Sequence, residues 1–116
     1  MDARLRAEMT AGSRLIVPTI VLFELRHGIA RNARREASAE LLDSFLAGGF
    51  EIVPFDAGDA LEAGEIRAGL ADAGTPIGPF DVLIAAQARR RGAVLVTDNL
   101  REFQRVPELM VTDWGG

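Results

Sequence analysis

The stretch PFDVLIAAQARRRGAVLVT, residues 79–97, restricts the fold more than any other part of the chain. From Phe80 to Arg91 it reads as a helix, apolar around nearly all of its first turns, a pattern that only a largely buried helix tolerates. Gly92 stops that helix. AVLVT, residues 93–97, follows as a continuous apolar run without polar alternation, the mark of a strand covered on both faces. An apolar helix that passes through one glycine into such a strand predicts helices laid over a parallel sheet.

The remaining segments fit that architecture. Residues 2–11 are helix-like and end at Gly12-Ser13, and Arg14 to Val17 is a short β-prone run. Thr19 is the expected N-cap of a helix through IVLFELRHGIA. Asn32 is the expected cap of the next helix, where Leu41, Leu42, Phe45 and Leu46 recur at helical spacing before Gly48-Gly49. FEIVPF, residues 50–55, is a strand candidate. Asp56 opens a helix with Leu61, Ile66 and Leu70 as inward positions, and 73–79 is a loop. DNLREF forms a loop or short helix, and ELMVTDW carries a last short strand. Helices alternating with short strands over 116 residues predict a single α/β domain, 1–116, without repeats or linkers.

Composition narrows the function classes. There is no cysteine, which removes disulfide frameworks and thiolate metal sites. No apolar run approaches the ~20 residues of a membrane span, and no signal-peptide pattern opens the chain, so no membrane association and a cytoplasmic location are expected. The net charge of −4 argues against a protein coated in positive potential. All thirteen basic residues are arginine; this suits bidentate phosphate contacts and equally follows from coding bias. Local arginine clusters occur at Arg34-Arg35, Arg89-Arg90-Arg91, and Arg101 with Arg105.

Three acidic residues interrupt segments that otherwise read as packed: Glu24 within IVLFEL, Asp81 at the head of the apolar helix, and Asp98, followed by Asn99, directly after AVLVT. Each has an ordinary reading. Asp81 suits the first turn of a helix, Glu24 can pair with His27 one turn on, and TDN is a common turn. Taken together they are a set that would gather at the carboxyl ends of a parallel sheet, where ligands collect. Converging carboxylates repel unless a cation neutralises them, and oxygen ligands without cysteine or a histidine cluster favour Mg²⁺ or Mn²⁺. His27 is the only histidine. Neither GK[ST] after a glycine turn nor GxGxxG occurs.

The segments VPTIVLFELRHGIA, GEIRAGLADAGTPIGPFDVLIAAQARRRGAVLVTDN and LREFQRVPELMVTDW resemble, in order and spacing, the PIN-domain ribonucleases, and within them the VapC-type toxins of toxin–antitoxin pairs. The resemblance implies a three-layer α/β/α fold with a parallel central sheet. It also implies a Mg²⁺-dependent (or Mn²⁺-dependent) endoribonuclease that acts on RNA and is neutralised by a cognate antitoxin. It places catalytic roles on Glu24, Asp81, Asp98 and Asn99, with Asp81, Glu24 and Asp98 as metal ligands. Thr97 would support the turn through its hydroxyl. Arg34, Arg35, Arg101 and Arg105 are the expected RNA contacts.

One family element has no match. Such toxins begin with a strand ending in an Asp-Thr/Ser-Asn-like motif, whereas MDARLRAEM reads as the helix that follows it. ELLDSFL, with Asp43 and Ser44, echoes the motif but has helical spacing and comes after Glu24. Without the first strand, apolar sheet edges would be exposed, and a homodimer or strand-swapped assembly is expected to cover them. The alternative to an active toxin is therefore an impaired PIN domain that serves as an antitoxin-binding or self-associating module.

Overall fold

The computed structural model describes residues 16–97 and 99–113. The expected helix over 2–11, together with Asp98 and Trp114, lies outside the described residues. The chain forms two compact units, Met1–Pro54 and Phe55–Gly116.

In the first unit, β1 (Ile16–Pro18) pairs in parallel with β2 (Glu51–Val53), with Val17 opposite Ile52. Parallel partners need a crossover, supplied here by α1 (Thr19–Ala30) and α2 (Arg35–Leu46). Pro18 is the N-cap of α1, at φ −60° and ψ 141°. Its ring sets that φ, and a helix needs no N–H at this point. Thr19 is thus the first helical residue rather than the cap. Asn32 does not cap α2 either: its Oδ1 accepts the Arg34 N–H at 2.8 Å, forming a turn one step before the helix. Gly49 takes φ 103°, a left-handed turn after α2 that glycine adopts without steric cost. Phe45 stacks on Phe50 with ring centroids 4.1 Å apart, tying the end of α2 to the approach to β2. An Arg26–Asp43 ion pair of 2.6 Å links the two helices. Exposed as it is, that pair contributes at most about 1 kcal/mol.

The second unit starts with α3 (Ala57–Asp72), which opens where expected, with Asp56 as its N-cap. Asp56 Oδ1 accepts the Asp59 N–H at 2.9 Å and Asp59 Oδ2 accepts the Asp56 N–H at 3.0 Å, a reciprocal capping box. Asp59, Ala63, Ile66 and Leu70 form the buried stripe of α3 at helical spacing. Burial of Ile66 and Leu70 stabilises the unit by roughly 1.5–3 kcal/mol each. Leu61, expected to face inward, is 70% exposed. It stands two residues from both Asp59 and Ala63, about 200° around the helix from each, and so on the outer face.

Helix α3 packs on α4 (Pro79–Arg90), whose Val82 and Ile84 to Ala88 are buried, as the apolar sequence demanded. Gly92, at φ 62°, turns the chain into β3 (Val94–Val96). A short helix, α5 (Leu100–Phe103), leads to β4 (Met110–Thr112), which pairs with β3 in parallel, Leu95 opposite Val111. Phe103 and Val106 are buried and hold this crossover down. The expectation of a strand covered on both faces does not hold for β3. Val94 and its register partner Met110 are each 49% exposed, because register partners share a face and the outer face at this position is open. The described strands thus form two parallel two-stranded sheets, one in each unit. No helix among the described residues is long and apolar enough to cross a membrane.

Candidate active site

The second unit assembles a small acidic site where the loop into α4 meets α5. Gly78 is the N-cap of α4 and Pro79 its first residue, a start that suits the ring's fixed φ and missing N–H. Asp81 falls in the first turn, where the helix dipole and unsatisfied N–H groups favour a carboxylate. It is half-buried, while Val82 after it belongs to the core.

Glu102, on α5, meets this helix start. Its Oε1 accepts the Gly78 N–H at 2.9 Å, its Oε2 accepts from Asn99 Nδ2, and its carboxyl stands within interaction reach of that of Asp81. The Gly78 N–H is the main influence holding the Glu102 carboxyl below the ordinary glutamate range. Desolvation opposes it, and Asp81, Asn99 and the charge of Arg105 reinforce it. Two carboxylates this close repel each other, and a cation between them would relieve that repulsion. The approach is tight: a Cβ on Gly78 would stand 3.2 Å from Asp81 Oδ2. Thr97 shapes the same turn, its Oγ1 accepting the Asn99 N–H at 3.0 Å while its own N–H bonds Thr112 O at 3.0 Å.

Asp81 and Asn99 are therefore brought together, through a residue that sequence reasoning did not select. Its signal was the Asn-x-x-Glu spacing of residues 99–102 after an apolar strand, a helix-start pattern. Asp98 lies outside the described residues. Glu24 belongs to the first unit, on α1. The expectation of a packed environment for it does not hold: Glu24 is exposed and α1 contains no buried residue. Nor does His27 serve as its partner, since its ring stacks on Phe23 at 6.4 Å and 9°. Among the described residues, no group of three or more acidic or histidine side chains is arranged around a common metal position. Asp81 and Glu102 are a pair.

The arginines divide sharply. Arg34, the residue before α2, and Arg35, its first, are exposed, as is Arg101 on α5. Arg105 instead donates from Nη1 to Pro76 O at 2.9 Å. The run Arg89-Arg90-Arg91 is engaged internally. Arg89 pairs with Glu62 at 2.6 Å, Arg90 with Asp56 at 2.6 Å, and Arg91 with the buried Asp59 at 2.8 Å.

A family model described as PIN domain matches residues 2–109, a range that extends through both units. The tRNA(fMet)-specific endonuclease VapC of Salmonella typhimurium is 40% identical over 102 residues, 88% of this chain and 76% of that protein. Ribonuclease VapC2 of Rickettsia felis is 36% identical over 106 residues, 91% of this chain and 78% of that one. Among solved structures, VapBC2 from Rickettsia felis, bound to a DNA fragment from its promoter, superposes with a TM-score of 0.87 at 35% identity. That match covers 97% of this chain and 83% of the other. DNA-bound VapBC from Salmonella typhimurium gives 0.84 at 37% identity, with the same coverage of both chains. With the order of its helices and parallel strands, these matches establish that the chain belongs to the PIN-domain family and, within it, to the VapC ribonucleases.

Proposed function

We propose that this chain is a VapC-type toxin, a divalent-metal-dependent endoribonuclease that cleaves RNA phosphodiester bonds and is neutralised by a cognate antitoxin. The observation that carries this reading is the Asp81–Glu102 pair, fixed by Gly78 and Asn99 at the start of a buried helix, in a chain of this family. Two adjacent hard carboxylates fit Mg²⁺ or Mn²⁺, which bind through one or two carboxylates and complete their shells with water and phosphate oxygens. When bound, such an ion supplies a more acidic water and stabilises charge on the phosphodiester. Asp81 is the proposed principal ligand, with Glu102 beside it. Glu24 and Asp98 join the acidic set on the family resemblance alone, and Asn99 orients Glu102.

The S. typhimurium relative's name directs the first substrate to test, initiator tRNA. The VapBC complexes among the structural relatives support an antitoxin partner. The exposed Phe23, Leu25 and Leu41 on α1 and α2 provide apolar surface for one to cover.

The test is cleavage of initiator tRNA by the purified chain in Mg²⁺ or Mn²⁺, with EDTA as control. Asp81→Ala is expected to lower the rate by at least about a hundredfold. Undiminished cleavage by that variant would remove Asp81 from the site. A wild-type chain that binds antitoxin without cutting RNA would instead establish the impaired-module alternative.

A further inference from the structure

We propose that Arg105 is a positioning residue for RNA cleavage: together with Glu102 it clamps the segment from Pro76 to Gly78 and so fixes where Asp81 stands. The proposal rests on the ribonuclease reading of the site. Arg105 Nη1 donates to the Pro76 carbonyl at 2.9 Å, and Glu102 Oε1 accepts the Gly78 N–H at 2.9 Å. The two side chains leave one turn of chain, closed by the Arg105 N–H on Glu102 O at 3.1 Å. Their targets lie two residues apart on the loop, one on each side of Ile77. A cation on a carbonyl and a carboxylate on an amide each match the backbone dipole they hold, which makes both bonds charge-assisted.

The location of this clamp gives it leverage. Upstream, the loop is tied by the Thr75 N–H on Leu70 O at 2.9 Å. Downstream, α4 begins with the Val82 N–H on Gly78 O at 3.1 Å. The clamp acts between these two ties, on the residues that set the origin of α4. Asp81 Oδ2 lies so close to Gly78 that a Cβ there would be 3.2 Å away, so a displaced loop moves the carboxylate or strikes it. The guanidinium retains other N–H groups, and direct contact with an RNA phosphate is therefore the rival role.

Arg105→Met and Arg105→Lys separate the two. Amide exchange at Gly78 in metal-free protein is expected to accelerate about tenfold in Arg105→Met. Mn²⁺ titrated without RNA should bind about tenfold more weakly. On RNA, kcat should fall while KM and its salt dependence stay unchanged. Arg105→Lys, which keeps a cationic donor, should recover most of each effect, and Arg105→Gln, polar but uncharged, replaces Arg105→Met with the same expectations if that variant does not fold. A raised KM and a salt slope reduced by about 0.7, with Gly78 exchange and Mn²⁺ affinity unaltered, would overturn the clamp in favour of phosphate contact. Wild-type values throughout would also overturn it. If wild-type protein cuts no RNA with either metal, the ribonuclease reading fails, and Gly78 exchange alone still decides the clamp.

Discussion

Glu102 is where the candidate site converges: an amide hydrogen from Gly78, the side-chain amide of Asn99 and the carboxyl of Asp81 all meet one side chain. Glu102→Gln keeps the size but loses the charge, and it puts an NH₂ where one of two acceptors stood. That NH₂ faces either the Gly78 N–H, donor against donor, or Asn99, whose amide must then turn its oxygen toward it. Metal-dependent cleavage by Glu102→Gln is expected to fall about 10–100-fold, with a weaker Mn²⁺ isotherm and little loss of helix by circular dichroism. Full activity would show that the convergence on Glu102 does not orient Asp81. The site was half legible in the sequence. Asp81 could be selected because a carboxylate at the head of an apolar helix is locally anomalous. For Glu102 the Asn-x-x-Glu spacing signals only a helix start, and its importance comes from a bond to Gly78 twenty-four residues away, which that spacing does not encode. Glu24 shows the converse: apolar neighbours in sequence suggested burial, yet α1 exposes them.

At the scale of elements, the start of α3 and the end of α4 are joined by charge. Asp59 is fully buried (0% exposed) and accepts from Arg91 at 2.8 and 3.1 Å and from Arg90 at 3.1 Å, while also closing the capping box with Asp56. Burial disfavours its charge, but the bonds from Arg91, the backbone at Asp56 and Arg90 outweigh that and hold its pKa at about 2, below the ordinary 3.8. A carboxylate whose folded pKa is depressed binds fewer protons in the folded state. Its stabilisation is therefore complete above the unfolded value and is lost as pH falls from about 4 through about 2. Asp59→Ala leaves two arginines without their buried partner and is expected to cost about 3 kcal/mol in urea unfolding at pH 7. It should also flatten the loss of stability between pH 5 and pH 2. An acid limb parallel to wild type would mean that Asp59 is not the titrating group. The helix start at Asp56 was readable, because a local spacing encodes it. The ties of Arg90 and Arg91 to Asp59 were not: a run of three arginines looks like a solvated or nucleic-acid-binding face until packing of α3 on α4 decides otherwise.

For the whole molecule, the question is how a chain of net charge −4 holds a polyanion. The total of thirteen arginines overstates its capacity. Arg26 is paired with Asp43, Arg89 with Glu62, Arg90 and Arg91 with Asp56 and Asp59, and Arg105 holds Pro76. A guanidinium already paired with a carboxylate displaces few counterions when it approaches RNA, since its charge is neutralised beforehand. Of the expected RNA contacts, Arg34, Arg35 and Arg101 are left, exposed and without such a carboxylate among the described residues. Three phosphates on single-stranded RNA correspond to a slope of about −2 in log affinity against log salt concentration, at about 0.7 per phosphate. The measurement is RNA binding by the Asp81→Ala variant between about 50 and 200 mM salt. Arg34→Ala or Arg101→Ala should each make the slope shallower by about 0.7, whereas Arg90→Ala should lower thermal stability and leave the slope unchanged. A slope made shallower by about 0.7 in Arg90→Ala would instead show that the internally paired arginines open to the substrate. The ion-pair network joining α3 to α4 would then be part of RNA recognition rather than of the fold.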